Sequence, residues 1–287
     1  MTNEKMTHVN RTYKSTVFTM LFEDRNNLLE LYNAMSGKHY TDPALLEINT
    51  LENAIYMSIK NDVSFIIDGR LSLYEHQSTY SPNLPLRFLF YVSHLYAGIT
   101  NSANLYGTKP VDIPAPEFVI FYNGADEMPE HKILKLSDLY TVHDRECGLE
   151  VKAKMLNICG DNNKALKRAC RTLGEYASFC EKMRSYARIM SIEDAADQTI
   201  DECIREGILE EFLRKHKVEA KSMSIFEYDQ EKHLRMEREE ALEEGRKAAI
   251  KDIIIKMPRQ GYTREDILKI CDISGNELEK YCRDLKE

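Results

Sequence analysis

No apolar run in this 287-residue chain reaches the roughly 18–20 residues that cross a bilayer. The first twenty residues mix Lys5, Arg11 and Lys14 with polar groups and have no apolar signal-peptide core. No Cys-x-x-Cys pair occurs either. The cysteines, Cys147, Cys159, Cys170, Cys180, Cys203, Cys271 and Cys282, are odd in number and widely spaced, which excludes a disulfide framework and a zinc ribbon. Cys159, Cys170 and Cys180 lie among apolar residues and are expected as buried, reduced thiols. The histidines show no paired ligand spacing, and no internal repeat is visible. These absences predict a cytoplasmic chain without membrane contact or structural zinc. A hydrophobic content of 43% with 30% charged residues excludes wholesale disorder.

A positive balance is also missing. With 39 basic and 47 acidic side chains the net charge is −8, which excludes coating of nucleic acid by bulk electrostatics. One local track runs against it. Between Lys152 and Arg188 stand nine basic residues, among them Lys164, Lys167, Arg168 and Arg171, against only Asp161, Glu175 and Glu181. A solvated helix face and a phosphate-contacting, DNA-binding surface both fit that count.

Residues 1–15 are polar and expected to be loose. Apolar spacing predicts a helix from Val17 to Met35, ended by Ser36-Gly37. A strand-rich stretch follows over 50–77, with turns at Lys60-Asn61 and Asp68-Gly69. Leu84–Ile99 reads as a buried helix, Glu117–Tyr122 as a short strand closed by Asn123-Gly124, and 148–159 as one more strand. Helix, three strands, helix, strand is an α/β order. Beyond about 163 the signals are helical: Asn163–Met190, Ile192–Lys217, and a charged helix Ile225–Met257. Within the last of these, Arg235–Arg246 alternates in sign, and Ile250, Ile253, Ile254 and Met257 form an apolar seam suited to a homodimer contact. Gly261 breaks it. Thr263 with Asp266 and Ser274 with Glu277 resemble capping boxes, giving two short helices spaced like a helix-turn-helix or a packing hairpin.

The chemistry concentrates in Asn61–Thr79. Asp68-Gly69 between two alternating apolar runs signals a two-residue hairpin turn. With those two residues as the loop, Ile67 pairs with Arg70 and Asp62 falls opposite Glu75. Alternation then puts Asp62, Ser64, Ile66, Leu71, Leu73, Glu75 and Gln77 on one face, and His76 on the other. Two carboxylates opposed across a ladder, with Cβ atoms about 4.5–5.5 Å apart, repel unless one is protonated or a cation lies between them. A divalent ion with oxygen ligands at about 2.0–2.1 Å fits that gap. A longer loop would separate the acids. Asp68 is a rival acid better suited to forming the turn, and Glu52 could join from a neighbouring strand. Arg87, at the start of the buried helix, could hold a phosphate or pair with a carboxylate.

Aspartate, a hairpin, then Glu-x-Lys on the next strand is the PD-(D/E)xK nuclease pattern, and Asp62 followed by Glu75-His76-Gln77 resembles it with glutamine in place of lysine. The surrounding words, Val17-Phe18-Thr19, Tyr74-Glu75-His76-Gln77-Ser78-Thr79, Pro82-Asn83-Leu84-Pro85-Leu86-Arg87 and Phe121-Tyr122-Asn123-Gly124, resemble the Rpn family of recombination-promoting nucleases, a group also described as transposases. Gly207-Ile208-Leu209 with Phe212-Leu213 resembles its downstream helical part. The resemblance spans roughly 10–250.

It implies a restriction-endonuclease-like αβββαβ core with a mixed central sheet and a helical C-terminal extension. It implies Asp62 and Glu75 as ligands of Mg2+, with Mn2+ as a substitute, Gln77 beside the attacking water, and DNA as substrate. The expected organisation is a loose segment 1–15, a nuclease-like α/β domain 16–190, a helical extension 191–260 and a terminal helix pair 261–287. The rival reading is a catalytically weak DNA-binding or assembly protein on the same fold, kept open by Gln77.

Overall fold

The computed structural model describes residues 16–49, 62–142, 147–257 and 261–284. The loose segment 1–15, the stretch 50–61 with its Lys60-Asn61 turn, and Glu52 lie outside them. The chain divides into two compact units, 1–228 and 229–287.

The first unit is α/β, built on a six-stranded mixed sheet. The strands are β1 (Glu47–Ile48), β2 (Val63–Ile67), β3 (Arg70–Gln77), β4 (Ala115–Tyr122), β5 (His131–Lys135) and β6 (Lys152–Asn157), in the order β1-β2-β3-β4-β6-β5. β3, β4 and β6 are parallel, and the remaining pairings are antiparallel. The connection from β3 to β4 contains helix α3 (Leu84–Ile99), whose bounds are those read from the sequence.

The β2–β3 ladder pairs Val63 with Tyr74, Ser64 with Leu73 and Ile67 with Arg70, the register that the two-residue turn requires. Asp68 at φ 53° and Gly69 at φ 70° supply the two left-handed residues of that turn. Asp68 is also ion-paired with Lys38, 2.5 Å away, so its role is in the turn.

Alternation sorts the sheet into two apolar faces. Val63, Phe65, Ile67, Tyr74, Val119, Phe121 and Leu156 pack against α1 (Val17–Glu23), α2 (Arg25–Ser36) and α5 (Arg171–Ala187). Leu71, Leu73, Ile120, Tyr122, Ala153 and Met155 pack against Leu84, Phe88, Tyr91, Val92 and Leu95 of α3. α6 (Ile192–Glu206) and α7 (Glu210–Lys215) add Ile200, Cys203 and Leu213 to the first of these cores.

Three helices expected as continuous are broken. Asp24 ends α1 in an extended conformation and caps α2, its carboxylate accepting the N–H groups of Asn26 and Asn27. Extended Cys170 separates α4 (Lys164–Ala169) from α5. Left-handed Gly207 closes α6 before α7. Strand β5 was not anticipated. It is an edge strand with one buried residue, Leu134, and so has almost no apolar alternation.

Helix α8 (Lys217–Lys256) runs out of the first unit. In the second, its Ile250, Ile254 and Met257 pack with Ile267, Cys271 and Leu278 of α9 (Arg264–Cys271) and α10 (Gly275–Asp284). Most of the seam expected as a dimer contact is thus buried within that unit. Both capping boxes form. Among the described residues no helix is long and apolar enough to cross a membrane.

Candidate metal centre

Asp62 and Glu75 come together at the end of the β2–β3 hairpin, 4% and 1% exposed respectively. The main-chain N–H of Asp62 reaches Glu75 Oε2 at 3.4 Å, and Gln77 Nε2 reaches Glu75 Oε1 at 3.4 Å. Asp62 Oδ2 accepts the main-chain N–H of His76 at 2.7 Å, while Thr19 Oγ1 of α1 stands 3.5 Å from Oδ1. From α3, Arg87 forms an ion pair with Glu75 Oε1 and donates to Tyr91 Oη from Nε at 3.0 Å and Nη2 at 2.9 Å. In the chain alone, Arg87 pairs with a carboxylate.

Helix α3 places Arg87 because the turn at Pro82-Asn83 starts the helix there, with Pro85 in its first turn and Arg87 N–H bonded to Asn83 O at 3.1 Å. The Phe121-Tyr122-Asn123-Gly124 word has a steric explanation. Asn123 N–H closes onto Gln77 O at 3.0 Å, and a Cβ on Gly124 would lie 2.2 Å from Ser78 O, so only glycine lets β4 end against the β3 exit.

Among the described residues, two buried carboxylates face one guanidinium. Burial pushes Asp62 above the ordinary aspartate range, against attraction from His76 and Arg87 and the bond from the His76 N–H. Burial, then repulsion from Asp62, raises Glu75 well above the ordinary glutamate range despite Arg87. Among the described residues, Asp62 Oδ1 and Glu75 Oε2 have donors only at 3.5 and 3.4 Å, at the limit of a hydrogen bond.

An all-oxygen set of two carboxylates with spare lone pairs suits a hard cation such as Mg2+, which keeps several waters and takes one or two protein carboxylates. It does not suit a soft or fully caged metal. Among the described residues no group of three or more His, Cys, Asp and Glu side chains is arranged to hold an ion.

His76 points away from the acids, as strand parity requires. Its ring stacks on Phe18, and its Nε2 lies 2.9 Å from Tyr176 Oη. Asn123 Nδ2 donates to the same hydroxyl at 3.3 Å, and Glu227 of α8 approaches His76 Nδ1 at 3.5 Å. Burial lowers the His76 pKa to about 4 and raises that of Glu227 to about 7. This polar cluster was not legible in the sequence, because its members are spread from Phe18 to Glu227 without a motif.

The basic track is partly spent internally. Arg171 pairs with Glu175 at 2.5 Å, Lys164 with Asp161 at 2.8 Å, and Lys182 with Glu202 and Glu206. Cys159, expected in apolar surroundings, instead donates to Gly124 O and lies 3.8 Å from Arg184 Nη1. In the terminal helix pair, α10 carries Glu277, Glu279 and Asp284 against Lys280 and Arg283, a poor charge balance for a DNA-reading helix.

No family model, curated protein or solved structure matches this chain.

Proposed function

We propose that this chain is a Mg2+-dependent DNA endonuclease of the Rpn type on a PD-(D/E)xK-like core, with Mn2+ as a working substitute. The observation that carries the reading is the juxtaposition of two buried carboxylates, Asp62 and Glu75, across a hairpin end with one cation, Arg87, against them among the described residues. Apolar residues would pack there at lower cost, so a purely structural role does not account for the pair. The order helix, three strands, helix, strand within the mixed sheet is also in favour.

Asp62 and Glu75 are the residues that would hold the ion. Bound there, Mg2+ supplies a Lewis acid for the phosphate and a more acidic water. Gln77 follows Glu75 on the same face and would orient that water by hydrogen bonding, without the positive charge of a lysine. Arg87 would remain the local counter-charge once a phosphate arrives.

The test is cleavage of supercoiled plasmid with Mg2+, Mn2+ or Ca2+, beside Asp62→Ala and Glu75→Ala. Nicking that needs Mg2+ or Mn2+ and is lost in both variants is the expected result. A second reading, a DNA-binding or assembly protein with little catalysis, is favoured by the Arg87–Glu75 ion pair together with Gln77. Salt-sensitive DNA binding without cleavage in either metal would select it, and Gln77→Lys would then be the variant to try for activity.

A further inference from the structure

A second concave site lies away from the acids. An open cleft of about 270 Å³ is lined by the turn after β6, helix α4 and helix α5. Its charged lining is Lys164, Lys167 and Arg168 against Glu181. Lys164 is already paired with Asp161, but the other two cations have no carboxylate partner among the described residues. Lys167 Nζ is instead held by main-chain carbonyls, Gly160 O at 2.5 Å and Ile158 O at 3.2 Å. Carbonyls fix the ammonium in place without a direct carboxylate contact; partial burial lowers its pKa, against attraction from Cys159, Glu181 and Asp161.

The place in the fold matters too. The turn at 158–160 leaves the sheet where β6 ends at Asn157, which is in register with Tyr122 of β4, itself in register with Gln77 of β3. The cavity therefore lies at the same end of the sheet as Gln77, with β3 and β6 about 10 Å apart, two strand spacings. Ligands of α/β sheets bind outside the carboxyl ends of parallel strands. The volume is below the roughly 300–1,000 Å³ of pockets that enclose whole drug-sized ligands. It suits a phosphoryl group with part of its sugar.

We propose that this cleft is a phosphate-binding site in which Lys167 and Arg168 supply the charge. That its phosphate belongs to DNA rests on the nuclease reading above; the site itself does not. An internal phosphodiester of a backbone and the terminal phosphate of a nucleotide share this chemistry.

The experiment is fluorescence anisotropy of a short labelled DNA duplex in EDTA, with the full chain and with Asp62→Ala, so that the acid pair takes no part. Arg168→Ala, which removes no ion pair among the described residues, and Lys167→Ala are expected to weaken binding about tenfold each, the loss of one charge-assisted bond. Each should flatten the log–log salt slope by about 0.9. Lys152→Ala, at the opposite end of β6, should change affinity by less than about twofold on this proposal, since Lys152 does not line the cavity. Ser178→Leu keeps every charge and fills the cleft, and should weaken binding if the melting temperature is preserved.

Competition by 2′-deoxyadenosine 5′-monophosphate would identify a terminal phosphate as the ligand. Absence of competition beside duplex binding would identify the backbone. Equal losses in Lys152→Ala and Arg168→Ala, or full binding by a folded Ser178→Leu, would overturn the site in favour of diffuse attraction. So would wild-type protein that binds neither probe. Cleft binding without plasmid cleavage would leave this site standing while the nuclease reading fell.

Discussion

His76 holds Asp62 with its main chain while its side chain lies on the other face of the sheet. The N–H of His76 donates to Asp62 Oδ2 at 2.7 Å, and the ring is fixed by Phe18 and Tyr176. With a pKa lowered to about 4 by burial, the imidazole is neutral near pH 7 and acts as an anchor for that N–H. His76→Ala should therefore keep the hydrogen-bond donor but loosen it. The expected result is Mg2+ binding weakened about tenfold or more, as for other outer partners of metal ligands, with a stability loss of about 1–3 kcal/mol. Calorimetric titration together with urea melts checks both. Unchanged Mg2+ affinity in a destabilised variant would reduce His76 to a core residue.

Asp62→Asn and Glu75→Gln should differ in stability. Each removes one of two repelling carboxylates and should abolish Mg2+ binding. Asp62→Asn leaves the Arg87–Glu75 pair intact, so in EDTA it should be as stable as the wild type or slightly stabler. Glu75→Gln leaves Arg87 without its partner and should be the less stable of the two by about 1–3 kcal/mol. Melting in EDTA and with Mg2+ separates the four cases. A Mg2+-induced rise in melting temperature that survives in both variants would remove the metal centre.

Arg87→Met tests the competition between the internal cation and an added one. Without the guanidinium the acid pair attracts a divalent ion more strongly, so Mg2+ affinity should rise by about tenfold, an effect of 1–2 kcal/mol between close charges in partly exposed surroundings. Plasmid cleavage should fall in the same variant, because the charge facing the phosphate is lost. Weaker Mg2+ binding in Arg87→Met would instead mean that Arg87 chiefly positions Glu75.

The hairpin was legible in the sequence because a two-residue turn with Asp68 and Gly69 leaves one register, and one register fixes which acids meet. Helix α3 was legible because Pro82-Asn83 and its apolar run mark both its start and its burial. The breaks at Asp24 and Cys170 were not, since each interrupts a helical pattern that continues on both sides. The partner of Arg87 could only be narrowed to two, because the choice depends on how α3 lies over β3. The Tyr176–His76–Glu227 cluster joins three distant elements, and no local spacing announces it.

Glu227 predicts a pH dependence. Burial raises its pKa from 4.5 to about 7, so the folded chain binds its proton more tightly than the unfolded chain does. Its contribution is fully favourable below the unfolded value, declines as pH rises from about 4.5 to 7 and is flat above. His76, lowered to about 4, contributes the opposite slope between about 4 and 6.5, but it is present in both proteins compared. Glu227→Gln should thus gain stability relative to the wild type as pH rises from 5 to 8, by an amount on the order of 1–3 kcal/mol. Urea melts across that range measure it. A stability difference that does not change with pH would mean that Glu227 titrates normally.

The last expectation concerns oligomeric state. Ile250, Ile254 and Met257 read in sequence as a seam for a second copy, yet they are 6%, 7% and 9% exposed within one chain, covered by α9 and α10. A surface already spent on its own unit cannot also hold a partner without unpacking that unit, at the cost of several buried side chains. Both cores that flank the sheet lie within residues 1–228. A chain ending at Tyr228 should therefore keep its fold and the same oligomeric state as the full chain by sedimentation velocity. Conversion of a dimer to a monomer on truncation would show that the C-terminal helices associate through surfaces other than this seam, and Leu242, 66% exposed on α8, would be the first residue to test.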